Sequence, residues 1–164
     1  LSDEGKDNVK VFCVNDSCVF EYESKSHSTL HTPHTSTIAP HPTHLFEPNA
    51  SIMKAGCFTE LAERYSMKPV SMNSHLFVSD TDVPEFPGRR FVIDAITTMN
   101  RKILATALKG IDRANITVRN FPLSVAELRK RIKLKDGGDT YIFATTLGSR
   151  EHVLIICHKI LYNI

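Results

Sequence analysis

The chain has 164 residues, 41% of them apolar and 23% charged, enough to bury one substantial core or two small ones. No run approaches the roughly 18 consecutive apolar residues of a membrane span, and the opening LSDEGK has none of the features of a signal peptide. The net charge of +2 conceals an asymmetry: residues 1–87 carry 6 Lys and Arg against 12 Asp and Glu, a balance of −6, whereas residues 88–164 carry 14 against 6, a balance of +8.

An acidic half joined to a basic half points to a polyanion partner for the second alone. A basic face docked on an acidic neighbouring domain would give the same pattern. The four cysteines (Cys13, Cys18, Cys57 and Cys157) include no C-x-x-C pair, which fits a reduced, cytoplasmic setting. The chain does not begin with Met, so we expect a piece of a longer protein.

In chain order, residues 3–8 are polar and expected to fray. Residues 9–14 and 19–23 read as two strands joined across Asn15-Asp16-Ser17, a turn of hairpin length. Residues 25–42, rich in Ser, Thr, Pro and His, have no period able to bury a face and read as a long exposed loop. His27, His31, His34 and His41, with His44 just beyond, raise the possibility of a zinc site. Nothing in the loop pre-organises them and no cysteine or carboxylate stands at paired spacing, so no metal is expected.

Residues 43–46 read as a short strand feeding EPNAS. Pro48 or Asn49 then opens a helix whose buried side is Ile52, Met53, Ala55, Gly56, Phe58, Leu61, Ala62 and Tyr65. The helix start has an ordinary reading, a capped N-terminus. It also has a functional one, in which Glu47, Asn49 and Ser51 make an interdomain or substrate contact, for example a phosphate at the exposed N–H groups. An echo of the D/N-P-P-Y/F loop of methyltransferases fails on detail: there is a single Pro, no aromatic follows it, and Glu47 leads.

Residues 68–70 and 74–79 suggest further strands, and the acidic connector DTDVPEFPG (80–88) is the expected module boundary. Residues 89–93 then read as a strand. A helix over 98–110 turns Ile103, Leu104, Ala107 and Leu108 inward and ends at Gly110. Ile116 and Val118 alternate with polar neighbours in a strand over 115–119. Ser124-Val125-Ala126-Glu127 is a capping box, opening a helix with Val125, Leu128 and Ile132 on its inner face. Arg129, Lys130, Arg131, Lys133 and Lys135 crowd its C-terminal end, where cations complement the helix dipole. Asp136-Gly137-Gly138-Asp139 is expected to supply the left-handed stop. Residues 141–147 and 152–160 read as a strand pair joined by Gly148-Ser149-Arg150. From residue 89 the order is strand, helix, strand, helix, strand, strand: an α+β layer sandwich with helices on one sheet face.

The run NFPLSVAELRKRIKLKDGGDTYIFATTL resembles the C-terminal THUMP-like module of a family of bacterial class I S-adenosylmethionine-dependent methyltransferases. The runs LFEPNASIMKAGCFTELAERY and SDTDVPEFPGRRF resemble the ferredoxin-like module that precedes it. The resemblance covers roughly residues 45–160. It implies two small α/β layer-sandwich modules, a ferredoxin-like one over 1–87, with the loop at 25–42, and a basic THUMP-like one over 88–164. It also implies a catalytic domain upstream as the main partner, S-adenosylmethionine as that parent protein's cofactor, and RNA as substrate.

The chemistry of catalysis is not legible in the chain itself. There is no G-x-G-x-x-G after a strand, no phosphate-binding Lys loop, no G-x-S-x-G and no H-E-x-x-H. Cys57 and Cys157 sit in apolar runs, where thiols are usually buried and inert. No catalytic residue and no cofactor site are therefore expected here. The expected RNA-binding residues are Arg113, Arg119, Arg129, Lys130, Lys133 and Lys135, acting on phosphates, with Phe121 and Tyr141 considered for base stacking. The alternative is a docking or oligomerisation module that touches no nucleic acid.

Overall fold

A computed structural model describes residues 9–24, 42–148 and 150–161. His27, His31, His34 and His41 lie outside the described residues. The strands are β1 (Val9–Asn15), β2 (Cys18–Ser24), β3 (His44–Pro48), β4 (Lys68–Pro69), β5 (Phe77–Ser79), β6 (Gly88–Thr98), β7 (Asn115–Arg119), β8 (Thr140–Leu147) and β9 (Glu151–Lys159). The helices are α1 (Ala50–Ala55), α2 (Phe58–Arg64), α3 (Arg101–Ala107) and α4 (Val125–Ile132). The architecture is mixed α+β, as the pattern predicts. None of the described helices is long and apolar enough to cross a membrane.

β1 and β2 pair as an antiparallel hairpin of their own. The other seven strands form one sheet in the order β4-β5-β3-β6-β9-β8-β7, antiparallel except for the β7–β8 pair. That parallel pair needs a crossover, and α4 supplies it. Strand alternation sorts the apolar side chains onto two faces. One face carries two separate helical layers. Phe46 and Phe77 meet Ile52, Leu61 and Met67, together with Cys13 and Phe20 of the hairpin. Ile142, Ala144, Leu154 and Ile156 meet Leu128 of α4 and Leu104, Ala107 and Leu108 of α3. The other face carries no helix among the described residues: Leu45, Phe91, Phe143, Val153, Ile155 and Cys157 are covered by the curl of the sheet and by Val70 and Leu76.

β6 runs eleven residues where the pattern suggested five, because its register shifts between Ile93 and Ala95. This bulge at Asp94 adds a residue and turns the alternation over. Phe91 and Ile93 face the helix-free side, whereas Ala95 joins the helical side. The strand's second half therefore hides from a period-2 reading.

The helix expected over 49–65 is two helices. Gly56 adopts φ 71°, closes α1 with its N–H on the Ile52 carbonyl, and lets α2 start afresh at Phe58. In α3 the expected inward Ile103 is 54% exposed, while Leu104, Ala107 and Leu108 are half-buried against the sheet. α4 ends earlier than expected. Its left-handed residue is Lys133 (φ 59°), whose N–H reaches the Arg129 carbonyl at 2.9 Å. By Lys135 the chain is already extended beside Arg113, and Gly137 and Gly138 shape the turn that follows.

The capping box forms as read. The Glu127 N–H donates to the Ser124 hydroxyl at 3.3 Å, and the Ser124 N–H donates to the Glu127 carboxylate at 2.8 Å. The Ser124 hydroxyl and N–H together hold the Glu127 carboxyl below its usual pKa. Ser124→Ala should therefore destabilise the protein by about 1 kcal/mol, read from the midpoint of urea unfolding. Gly88 opens β6 where the chain passes against β3. A Cβ there would lie 2.7 Å from the Phe86 ring and 2.9 Å from the Pro48 Cα, and would meet the Glu47 carbonyl as well. Backbone on two of the three sides cannot yield easily, so Gly88→Ala should cost about 2 kcal/mol or more by the same measurement.

Candidate nucleic-acid interface

The six cations read from the sequence separate into two groups. Arg119 ends β7 and points to the helix-free side, where its guanidinium donates to Glu47 Oε1 at 3.0 Å. Arg89, on the strand next to β3, donates through Nε to Glu47 Oε2 at 2.6 Å and contacts the same oxygen through its terminal nitrogen. Glu47 is buried, and the two arginines reach it from β6 and β7. In the strand order β7 lies four places from β3, so this contact exists only because the sheet curls. Arg129 is committed too. It donates to the Ala114 carbonyl at 3.1 Å and to Asp136 at 2.6 Å, tying α4 to the start of β7 and to the turn after the helix. Charge alone could not separate these two residues from the free ones, and their partners lie 72 and 15 residues away in sequence.

The remaining cations form an exposed group at the C-terminal end of α4. Lys130, Arg131, Lys133 and Lys135 are all exposed and make no ion pair with any described residue. Arg113 joins them, since its backbone bridges Lys135, and its contact with Asp112 is a loose 4.0 Å at the surface. Arg131 belongs to this group although it was not among the expected site residues; its place in the Arg-Lys-Arg run was the available signal. The left-handed turn at Lys133 is what brings Lys135 round toward Arg113.

Phe121 and Tyr141 do not stand as open stacking platforms. Phe121 packs into the helical layer with His152 against its ring at 5.4 Å, and Tyr141 lies 5.1 Å from Phe91. The residues at the start of α1 also have structural partners. Asn49 caps the helix, accepting from the Ile52 N–H at 3.1 Å and from the Ser51 hydroxyl at 2.8 Å. Glu47 is held by the arginines.

Burial pushes the Cys57 thiol up to about 12, with help from Cys13, and raises Cys157 further still. Neither is a poised nucleophile at neutral pH. Among the described residues no group of three or more His, Cys, Asp or Glu is placed to hold a metal ion. The glycine-rich turn sought for S-adenosylmethionine is not formed where a strand leads into a helix among the described residues. The links from β3 to α1, from β6 to α3 and from β7 to α4 contain no glycine. The left-handed glycines Gly56, Gly110, Gly137 and Gly138 all follow helices instead.

Glu47 ties β3 to the distant β7 as well as to its neighbour β6. Glu47→Ala should destabilise the protein by about 2–3 kcal/mol, somewhat below the roughly 3–5 kcal/mol of a fully buried pair, because both arginines keep some solvent access. Urea unfolding checks this, and Glu47→Gln, which keeps shape and hydrogen bonds, should cost less.

Residues 88–159 match a family model described as THUMP domain-like, and residues 44–87 match one described as a ferredoxin-like domain. The crystal structure of a "putative methyltransferase from Porphyromonas gingivalis W83" matches 93% of this chain with a TM-score of 0.80 and 31% sequence identity. The chain spans 38% of that protein's length. No curated protein matches the sequence.

Proposed function

We propose that this chain is the RNA-binding appendage of a methyltransferase, a non-catalytic part that delivers substrate to a catalytic domain elsewhere in a longer protein. The observation that carries this reading is the THUMP domain-like match over 88–159, which coincides with the basic half of the chain. The similarity to a methyltransferase more than twice as long supports the parent activity. S-adenosylmethionine would then be bound by the catalytic domain, and no step of methyl transfer is assigned to residues of this chain.

On this reading RNA lies against Lys130, Arg131, Lys133, Lys135 and Arg113. These side chains meet phosphates, so they position RNA without reading its sequence. Arg119 and Arg129 are removed from the interface, because each already satisfies a partner within the fold. A gel-shift titration against tRNA and rRNA fragments across a salt series tests the reading directly. Binding that weakens with salt supports it, and no binding at low salt refutes it.

A second reading has one observation in its favour. The outer face of the β1–β2 hairpin exposes Phe12, Val14 and Val19, each more than half open to solvent. A patch of this kind suits docking against another domain. The same titration decides between them, since a pure docking module leaves RNA unshifted.

Lys133 gives a sharper test because its two roles oppose each other. A non-glycine residue at φ 59° is strained, so Lys133→Gly should stabilise the fold by roughly 0.5–1 kcal/mol. The same change removes a cation from the phosphate-binding group. Combined with Lys130→Ala, it should weaken binding to different RNAs by similar factors. The log–log salt dependence should become shallower by roughly 0.7 for each phosphate no longer neutralised on a single strand. Thermal unfolding and the salt series together check both signs.

A further inference from the structure

The curl of the chain brings together two cysteines that the sequence keeps apart. Cys13 lies on β1 and Cys57 at the junction between α1 and α2, yet their sulfurs are 3.8 Å apart, 44 residues distant in sequence. Both are buried in the apolar layer made by Phe20, Phe46, Ile52 and Leu61. Strand alternation sends Cys13 inward with Val11, and the left-handed Gly56 turns the chain so that Cys57 meets it. Neither thiol is in a disulfide. The other two cysteines do not compete. Cys157 lies on the helix-free side of the sheet, and Cys18 sits at the hairpin turn opposite Asn15.

We propose that Cys13 and Cys57 form an oxidisable dithiol, a site of disulfide formation that fastens the β1–β2 hairpin to the α1–α2 pair. A sulfur–sulfur bond is about 2.05 Å long, so closure needs an approach of roughly 1.8 Å. Side-chain rotation can provide most of that for two thiols already in contact. The hairpin is otherwise held to the helices by side chains, among them Arg64, which lies over the Phe20 ring at 4.4 Å and donates to the Glu21 carbonyl at 2.5 Å. A covalent link there would remove the freedom of the hairpin to lift away.

The oxidant that fits so enclosed a pair is a water-sized hydroperoxide, hydrogen peroxide itself. One thiol loses its proton and its sulfur attacks a peroxide oxygen. The O–O bond breaks, hydroxide leaves and takes up that proton as water, and a sulfenic acid remains. The second thiol then attacks the sulfenic sulfur, the S–S bond forms and the S–OH bond breaks. The second water carries off the hydroxyl with the second thiol's proton. Two electrons leave the sulfur pair and reduce one peroxide to two waters. A small dithiol reverses the reaction by exchange. Because burial raises the Cys57 thiol, oxidation at neutral pH should be slow and should quicken as pH rises.

The test is oxidation of the folded chain with hydrogen peroxide, followed by thiol counting and non-reducing tryptic mass spectrometry. Trypsin leaves Cys13 and Cys18 on one peptide, so the experiment is run on the natural chain and on Cys18→Ser. The expected result is loss of two of the four thiols and a peptide cross-link to Cys57 that persists in Cys18→Ser. In Cys13→Ser the link to Cys57 should vanish. The oxidised protein should unfold roughly 5–10 °C higher than the reduced one, a difference abolished by dithiothreitol. The proposal is overturned if the link forms only in denaturant, if it joins other cysteines, or if peroxide yields sulfinic acid at either position with no link.

Discussion

One face of the seven-stranded sheet carries no helix among the described residues, and an apolar face left open cannot stay in water. Leu45, Phe91, Phe143, Val153 and Ile155 line that face, and the fold solves the problem by curling the sheet until it shields itself, with Val70 and Leu76 laid across the gap. The curl determines much else. It brings the end of β7 to β3, so that Glu47 can receive Arg119 as well as the neighbouring Arg89. A carboxylate in that position would be costly alone and is tolerated because two guanidinium groups meet it. Curvature and charge pairing thus depend on one another. The sheet brings the charges together, and the charges resist its flattening.

The same geometry divides the basic half into cations that build the protein and cations that face outward. Arg89, Arg90, Arg119 and Arg129 all have internal partners, whereas the lysines at the end of α4 have none among the described residues. Arginine does the internal work because its planar fork can serve two oxygens at once. Lysine, a flexible and strongly hydrated point charge, is left for the surface. Net charge by halves overstated the exposed positive surface, because Arg119 and Arg129 are spent on partners inside the fold.

Much of the fold was legible from short-range signals. Ser124 and Glu127 marked the start of α4, Ile116 and Val118 marked β7, and the apolar run before Gly148 marked β8, because each signal is set by neighbours within a few residues. The misses share a different cause. Gly56 reads as part of a helix face until its backbone is seen to reverse, since an apolar period survives one glycine. Ile103 fits the period of α3, but a helix of seven residues lying on a sheet face buries only a narrow strip. The commitment of Arg119 and the meeting of Cys13 with Cys57 are long-range facts. They follow from the curl and from the packing of the hairpin, which no local pattern encodes.

The bulge at Asp94 bears on how such a chain can change over generations. The extra residue is the pivot about which β6 exchanges its faces, and its carboxylate is anchored to His158 on β9 at 2.9 Å. Losing that single codon would leave every side chain beyond it on its present face, because Ile93 and Ala95 already pair with consecutive residues of β9, Cys157 and Ile156. The bulge, with its added bend and twist, would be gone and the strand would run regularly. Losing a paired residue such as Ile96 would be far worse, since it would slip the register and send every side chain beyond it to the other face. Length can therefore change at Asp94 where it cannot change at its paired neighbours. Related chains should differ in the presence of this one residue more readily than in the length of the paired strand on either side.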